Sequence, residues 1–479
     1  MSSNGSSVTD SERARWWTTT NARWALVLVT TTSTVLLFTW AHRHAWMAVL
    51  LVVAATASCG VLAVAEQRRP RLSPTAIVVA IVIVCGIAVY KPPRSSADLY
   101  SYAMYGRIVS VHHANPYVAL PIDYPTDPIF WKVSPIWLRR GSVFGPAYVA
   151  YAATGMALTG DSAYTIRLFF QITTALAGAA VLWVIWRRTR STSALILLGL
   201  HPVFAVTIND GHNDLFIGLA ILGAALLLAR NRGWAAGFVI GLASLAKLTT
   251  LLGLVGAVLW AWRRNERRLA ARVVVATGAT LLVGYLPFVG SAANVLSGAD
   301  RTVTPPSAWN PLAAALLGHN AGRDVADPLA PNTTLTVIFY ASLVLVAALA
   351  LFVGWCFARE RRPDATMGAI GASYSFGAAY TYPWYALWAL PVLSAGRRSA
   401  LTWVVWIQAA VMLAAWRMPL HPSDTVTDTI VRGTLSYAAP LMCLVAFVVI
   451  AARAAPRRVR DDSQVDEPSV ARPELSPAT

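Results

Sequence analysis

Long apolar runs separated by short arginine-rich stretches fill most of the chain from about residue 24 onward. A membrane-crossing helix needs about 20 apolar residues, and shorter runs fit when they are tilted or broken. By this measure the pattern predicts an all-α polytopic membrane protein with about fourteen transmembrane helices. The predicted spans cover residues 24–41, 46–65, 74–90, 164–186, 192–208, 213–229, 234–247, 249–262, 272–289, 334–357, 366–381, 384–395, 401–416 and 433–452.

The arginine clusters fall on alternate connections between these spans. Because cytoplasmic loops retain Lys and Arg, the pattern predicts that both termini lie in the cytoplasm, which requires an even number of spans. The opposite side then carries three longer segments, at about 91–163, 290–333 and 417–432. The first of these is rich in Tyr, Trp and Pro, and its apolar stretch Ala147–Leu158 predicts a short helix lying in the membrane interface.

The division of the chain follows from the same pattern. We expect a disordered cytoplasmic N-terminus at 1–23, a transmembrane domain at 24–455 and a disordered cytoplasmic tail at 456–479. Apolar residues make up 56% of the sequence and charged residues only 13%, which excludes a soluble enzyme. The net charge of +17 is explained by the arginines of the cytoplasmic loops, so no nucleic-acid partner is expected.

The carboxylates divide between the two sides of the predicted membrane. Every glutamate falls on the cytoplasmic side, so a carboxylate base on the outer side has to be an aspartate. Asp98 follows the third span directly and stands among aromatic residues, where partial burial would raise the pKa of its carboxyl toward the range of a proton acceptor. The alternative is a helix N-cap, a common role for Asp at a loop-to-helix junction.

Two further polar features interrupt apolar sequence on the same side. The segment Asn209–Asp214 holds five polar side chains around Gly211, more than a turn requires, although Asp210 or Asn213 could cap the next helix. Lys247 lies in apolar sequence, where an ammonium group usually marks a functional position, although it could also extend to the interface. The aromatic runs at Trp309 and at Tyr380–Trp384 are interpreted as interfacial anchors or as surfaces for stacking on sugars.

These residues occur in an order that resembles a known family. Asp98–Tyr102, Gly106 and Asn115–Tyr117 resemble the first outer loop of C-type (GT-C) integral-membrane glycosyltransferases. The sequence is similar in particular to the polyprenol-phosphate-mannose-dependent α-mannosyltransferases, including the α-1,6-mannopyranosyltransferases. Phe144–Pro146, Gly211–Asp214 and Lys247 continue the pattern, and the resemblance covers roughly residues 75–400. The stretch Ile122–Arg140 is an addition to it.

The resemblance implies an activity and a GT-C-like arrangement of helices. A sugar, with mannose favoured, would pass from a polyprenyl-phosphate donor to a glycolipid or lipoglycan acceptor at the outer face of the plasma membrane, with inversion. Asp98 would act as the base, without a metal or another cofactor. The donor phosphate would contact Lys247, His212 and Arg107. The sugar or acceptor would contact Asn213, Asp214, Asp210, Tyr102, Tyr117 and Trp309.

Two other functions remain open at this point. One is an arabinosyltransferase that uses a polyprenyl-phosphate-arabinose donor. The other is a transporter or flippase of lipid-linked sugars, which would be expected to carry polar residues near the middle of the membrane and often repeated halves. In this sequence the polar residues gather at one face, which favours chemistry there. The oligomeric state is left open.

Overall fold

The computed structural model describes residues 19–40, 45–297, 302–318, 332–358, 362–396, 398–417 and 426–455. All regular secondary structure in these ranges is helical, which confirms the predicted all-α class. The predicted tail 456–479, most of the predicted N-terminal segment 1–23, and parts of the loops 290–333 and 417–432 lie outside the described residues.

The helices are numbered here in chain order. The α-helices α1 to α21 span Thr20–Thr39, Ala45–Arg68, Pro74–Tyr90, Asp98–Ser110, Pro135–Leu138, Pro146–Thr159, Ala163–Thr189, Thr192–Gly199, Pro202–Asn209, Asp214–Leu228, Gly233–Ser244, Leu251–Arg263, Arg267–Tyr285, Asn294–Ser297, Asn310–Leu317, Thr333–Phe357, Pro363–Gly377, Leu390–Ala395, Ala400–Trp416, Val426–Arg432 and Ala439–Ala454. Short 3₁₀-helices occupy Pro121–Asp123, Phe130–Lys132, Leu248–Thr250, Leu286–Phe288 and Pro383–Trp388, and Gly433–Ala438 is a π-helix.

The fold is that of a membrane protein. Six helical segments of the described chain are long and apolar enough to cross a bilayer, and α8 and α9 together form a further apolar segment that is bent by 51°. Large apolar side chains on the outside of these helices, such as Val82, Leu28 and Val344, are 62–70% exposed. Such surfaces are stable in hydrocarbon and costly in water. The predicted number of fourteen spans stays a prediction, because several of the apolar helices are shorter.

The bend between α8 and α9 has a local cause. Pro202 begins α9 and has no N–H to continue the ladder of α8. The buried ring of His201 takes over at the break, since its Nδ1 accepts the Val203 N–H at 3.1 Å and its Nε2 lies 3.2 Å from the Trp406 carbonyl oxygen. After this bend, α9 ends at Asn209, which is fully buried inside the protein.

The first long loop is an ordered unit with its own core. Helices α4, α5 and α6 pack together through buried residues that are separate from the main core of the bundle, among them Leu99, Tyr105, Ile108, Ile129 and Tyr148. The expected helix in the second half of the loop is present as α6, Pro146–Thr159. Its placement in the membrane interface stays a prediction.

Polar side chains fasten this loop to the bundle. The last carbonyl groups of α3 have no partner within the helix. The side-chain amide of Asn209 donates to the carbonyl oxygens of Ala88 and Lys91 at 2.9 and 3.0 Å, and Gln171 donates to that of Lys91 at 3.0 Å. The chain therefore leaves α3 in a fixed direction toward Asp98.

We predict that Gly218→Ala destabilises the protein, because α10 approaches the 3₁₀-helix Pro383–Trp388 at this position. A Cβ on Gly218 would lie 2.3 Å from the Leu387 carbonyl oxygen. Overpacking of this kind costs about 1–3 kcal/mol, and a lower midpoint of thermal unfolding in detergent would report it. Gly223→Ala in the same helix is the matched control, since a Cβ there meets nothing within 4 Å. Equal midpoints for both variants would contradict the close approach.

Candidate active site

Three segments that are distant in sequence meet at one end of the bundle. They are the start of α4 with Asp98, the turn between α9 and α10, and the break before the 3₁₀-helix Leu248–Thr250 with Lys247. The turn depends on Gly211, whose φ of +66° favours glycine. A Cβ at this position would also lie 3.1 Å from Cβ of Phe170. The next three residues, His212, Asn213 and Asp214, are thereby held in the interior.

Asp98 is the first residue of α4 and is partly exposed. Its side chain does not cap the helix. Its Oδ1 accepts a hydrogen bond from the indole Nε1 of Trp137 at 3.1 Å, and Ser96 is a second hydrogen-bonding neighbour of the carboxyl. The alternative role as an N-cap is therefore not observed.

The electrostatic surroundings of Asp98 favour a proton acceptor. Burial raises the pKa of the Asp98 carboxyl above its ordinary value, and the negative charge of Asp214 raises it further. Hydrogen bonds with Trp137 and Ser96, and the positive charge of Lys247, act in the opposite direction. The charges of Lys247 and Asp214 thus both act on the pKa of the Asp98 carboxyl, which places the three groups in one electrostatic neighbourhood.

Lys247 and Asp214 form an ion pair inside an aromatic enclosure. Nζ of Lys247 lies 3.2 Å from Oδ1 of Asp214, and this oxygen also accepts a hydrogen bond from Nε1 of Trp388 at 2.7 Å. The ammonium lies 4.1 Å from the ring centre of Tyr385 and 5.0 Å from that of Trp388. Charge and ring faces together hold a cation that is only 16% exposed. The extension to the interface considered for Lys247 is not observed.

His212 is oriented from two sides. Its ring stacks on Trp384 with 3.8 Å between ring centres and 23° between planes. The hydroxyl of Tyr102 lies 3.0 Å from Nδ1, and the Tyr102 ring is itself held edge-on by Phe144 and Tyr148. Tyr102 was predicted to contact the sugar or acceptor. In the structure its hydroxyl instead contacts and orients the ring of His212.

Four polar atoms in this cluster have no hydrogen-bond partner among the described residues. They are Nε2 of His212, Oδ1 and Nδ2 of Asn213, and Oδ2 of Asp214, and all are buried. A buried polar atom without a partner costs about 1–3 kcal/mol, and an accumulation in three consecutive residues calls for an explanation. A polar ligand bound beside the Lys247–Asp214 pair would supply the missing partners.

The chain was compared with known proteins. The family model described as "Alpha-(1->6)-mannopyranosyltransferase, N-terminal domain" matches residues 2–264, more than half of the chain. The chain belongs to this family. A model of glycosyltransferase family 87 matches residues 156–376. The alpha-(1->6)-mannopyranosyltransferase A of Mycobacterium tuberculosis is 26% identical over 363 residues, which are 69% of this chain and 66% of that protein.

The resemblance seen in the sequence is thus confirmed at the level of the mannopyranosyltransferase family. The matched region 2–264 includes Asp98, the turn with His212, and Lys247. This chain spans slightly less than two thirds of the length of the curated relative.

The sequence did not reveal which bonds hold the segment that carries Lys247 in place. The amide of Gly145 donates to the Ala246 carbonyl oxygen at 3.1 Å, and that of Ala147 donates to the Leu245 oxygen at 3.0 Å. A Cβ on Gly145 would lie 2.2 Å from the Leu245 oxygen. Residues 145 and 147, in and directly after the Phe144–Pro146 motif, therefore tie the first long loop to the segment that carries Lys247.

Arg107 does not join the cluster. Its Nε lies 2.9 Å from both carboxylate oxygens of Asp127, and its Nη1 lies 2.6 Å from Oδ1 of Asp161. Burial alone would raise the pKa of Asp127, but hydrogen bonds from Arg107, the Ile129 amide and His112 hold it below its ordinary value. Two carboxylates already compensate the guanidinium, so the predicted contact of Arg107 with a donor phosphate is not retained.

Asp210 fixes the approach to Asp98. Its Oδ1 accepts the amides of Arg94 and Ser95, both at 3.1 Å, and its Oδ2 is hydrogen-bonded to the Ser95 hydroxyl. The carboxylate is fully buried beside these groups. Asp210 therefore holds the segment before α4, and the predicted contact with a sugar is not retained.

Tyr117 and Trp309 contact other parts of the protein. The ring of Tyr117 packs edge-on against Phe288 at 5.0 Å. The indole Nε1 of Trp309 donates to the Gly377 carbonyl oxygen at 2.7 Å and joins its segment to the end of α17. No hydrogen bond or ring contact of the described chain joins either residue to Asp98, His212 or Lys247, and their roles toward sugar stay predictions.

Three aromatic residues of the cluster were not assigned a role from the sequence, namely Trp137, Tyr385 and Trp388. Trp137 belongs to the stretch Ile122–Arg140 that extends the family pattern, so the pattern gave no indication of it. Trp384 lies in the run Tyr380–Trp384, which was interpreted as an anchor or a stacking surface and contacts His212 instead. Within the described ranges no three His, Cys, Asp or Glu side chains are grouped as metal ligands, and a metal-free reaction stays a prediction.

Proposed function

We propose that the protein is an α-mannosyltransferase that transfers mannose from a polyprenyl-phosphate donor to a glycolipid or lipoglycan acceptor at the outer face of the plasma membrane. The observation that carries this proposal is the row of buried, unpartnered polar atoms on His212, Asn213 and Asp214 beside the Lys247 ammonium. A phosphate next to a hydroxyl-rich ring has the hydrogen-bonding groups that these atoms lack. The printed name of the relative favours mannose over arabinose.

Asp98 is the proposed base. The acceptor hydroxyl gives its proton to Oδ2 of Asp98 while its oxygen forms a bond to the anomeric carbon of the donor sugar. The bond between that carbon and the phosphate oxygen breaks, and its electron pair leaves with the polyprenyl phosphate. Attack and departure on opposite faces invert the anomeric configuration. The raised pKa of Asp98 suits it to accept this proton.

Lys247 and His212 are the proposed partners of the leaving phosphate. When the Tyr102 hydroxyl donates to Nδ1 of His212, the ring proton is on Nε2, which then donates to a phosphate oxygen. The ammonium of Lys247 adds a positive charge where negative charge develops. In a largely desolvated site, oriented groups of this kind contribute strongly to transition-state stabilisation.

Asn213 and Asp214 are the proposed partners of the sugar. The side-chain amide of Asn213 supplies both a donor and an acceptor, and Oδ2 of Asp214 supplies a further acceptor. Both can bond to hydroxyl groups of the donor sugar while Oδ1 of Asp214 stays paired with Lys247. The site then holds phosphate and sugar next to each other.

We predict that Asp98→Asn lowers the turnover of labelled polyprenyl-phosphate mannose by about 10²–10⁴-fold, because the acceptor hydroxyl loses its proton acceptor. The assay uses purified protein in lipid vesicles with a glycolipid acceptor and radiolabelled donor. Asp123→Asn in the same loop is the matched control, since within the described chain the Asp123 carboxylate accepts a hydrogen bond only from the amide of Leu120. Wild-type turnover by the Asp98 variant would reject its role as base.

We predict a shift in the pH profile for Trp137→Phe. In the wild type, kcat/KM should fall as the pH falls through the raised pKa of Asp98, above the range of an ordinary carboxyl, because only the ionised form accepts the proton. The Trp137 hydrogen bond lowers this pKa, so its loss moves the acid limb to higher pH. Trp131→Phe is the control, because Trp131 in the same loop is 84% exposed. An acid limb that stays at the same pH or moves to lower pH would contradict the hydrogen bond between Trp137 and Asp98.

We predict that Lys247→Met raises KM for the donor much more than KM for the acceptor, because the donor alone carries the phosphate. Loss of the Lys247 ammonium also leaves Asp214 without its cation. A purely structural effect therefore has to be separated from the loss of phosphate binding. The double variant Lys247→Met with Asp214→Asn removes both charges of the pair. Recovery of the donor KM in this double variant would indicate that Lys247 only balances Asp214.

A further inference from the structure

A polar cavity lies at the end of the bundle opposite to the candidate active site. Its volume is about 440 Å³, and its lining includes Arg188, Ala229, Trp260, Arg264 and Arg362. Helix α10 runs from Asp214 to Leu228, a rise of about 20 Å at 1.5 Å per residue. The cavity therefore lies about that far from the Lys247–Asp214 pair and belongs to a different surface of the protein.

Three arginines line this cavity from three separate elements. Arg188 comes from the end of α7, Arg264 from the turn after α12, and Arg362 from the residue before α17. The carboxylates at the site are Glu266, which lines it, and Asp364, which pairs with Arg188. Three cations and two anions leave one positive charge uncompensated in this part of the described chain.

Two of the three arginines are held in a fixed orientation. Arg188 donates through Nη2 to Oδ2 of Asp364 at 2.6 Å and through Nε to the Ala395 carbonyl oxygen at 3.0 Å. Arg264 donates through Nε to Oε1 of Glu266 at 3.0 Å and lies 5.1 Å from the ring centre of Trp260. Preorganised guanidinium groups are the preferred partners of phosphate in proteins.

A belt of arginine–tryptophan pairs indicates the depth of the cavity in the membrane. Tryptophan collects where hydrocarbon meets water, and arginine collects on the cytoplasmic side. At this end of the bundle each of five tryptophans lies beneath a guanidinium group, at 3.6–5.7 Å from the ring centre. The pairs are Arg187–Trp183, Arg190–Trp186, Arg263–Trp355, Arg264–Trp260 and Arg267–Trp262. The cavity, which contains one of these pairs, thus lies at the level of lipid headgroups.

We propose that this cavity binds a phosphate group, and that the phosphate belongs to an anionic membrane lipid of the cytoplasmic leaflet. Arg264 and Arg362 contact the phosphate, while Arg188, fixed by Asp364, forms the back of the site. The apolar residues Leu228 and Trp260 in the lining lie beside the first part of the acyl chains. Basic cavities between transmembrane helices on this side are suited to such headgroups.

The test measures thermal unfolding of the full-length protein in a nonionic detergent. Short-chain phosphatidylglycerol, phosphatidylcholine of the same chain length, and inorganic phosphate are titrated separately. We expect phosphatidylglycerol to raise the unfolding midpoint in a saturable way and the other two to leave it nearly unchanged. An equal, saturable rise with inorganic phosphate would overturn the assignment to a lipid and identify a soluble anion as the ligand.

Two double variants distinguish binding of phosphatidylglycerol in this cavity from general attraction of an anionic lipid to a basic surface. In Arg264→Gln with Arg362→Gln, the apparent affinity for phosphatidylglycerol should fall by about tenfold or more. The control, Arg230→Gln with Arg268→Gln, removes the same charge from exposed positions at the same end and should keep the wild-type affinity. Equal weakening in both double variants would overturn the proposal. Circular dichroism and the elution volume of each variant verify that it is folded, and a single Arg264→Lys variant replaces the first pair if it is not.

Discussion

The cost of holding ionised groups near hydrocarbon is the constraint on which this structure depends. Lys247 is tolerated there because Asp214 neutralises it at 3.2 Å and two aromatic rings face it. Asp214 is tolerated because Lys247 and the Trp388 indole both contact its Oδ1. A buried ion pair is rarely a source of net stability. Its presence at the end of the bundle therefore points to chemistry, and the neighbouring helices are arranged so that this pair, His212 and Asp98 meet.

The sequence predicted the general architecture because hydrocarbon imposes a strong requirement on composition. Each predicted span corresponds to a helical segment of the structure, although the segments 192–208 and 384–395 are broken or partly 3₁₀. An apolar run does not reveal such breaks, since Pro202 is compatible both with a kinked helix and with two helices. The number of complete crossings could not be derived from hydrophobicity for the same reason.

The candidate site was predicted in part. Asp98, His212 and Lys247 stood out because each is a costly residue in apolar surroundings, and the structure brings them together. Asp210 also interrupted apolar sequence, and Arg107 was assigned through the family resemblance, yet the partners of both are internal. A sequence shows that a charged group needs a partner but not which one it has, and Asp127 and Ser95 lie at separations that no local pattern indicates. Trp137 could not be anticipated, because a tryptophan in a loop is compatible with many roles.

The attachment of the first long loop to the Lys247 segment has a consequence for how such proteins can diverge. The two links run between main-chain atoms, from the amide of Gly145 to the carbonyl oxygen of Ala246 and from the amide of Ala147 to that of Leu245. Main-chain bonds do not depend on which side chains the residues carry. Substitutions at 245 and 246 that fit the surrounding space therefore leave these two links in place, so long as glycine persists at 145.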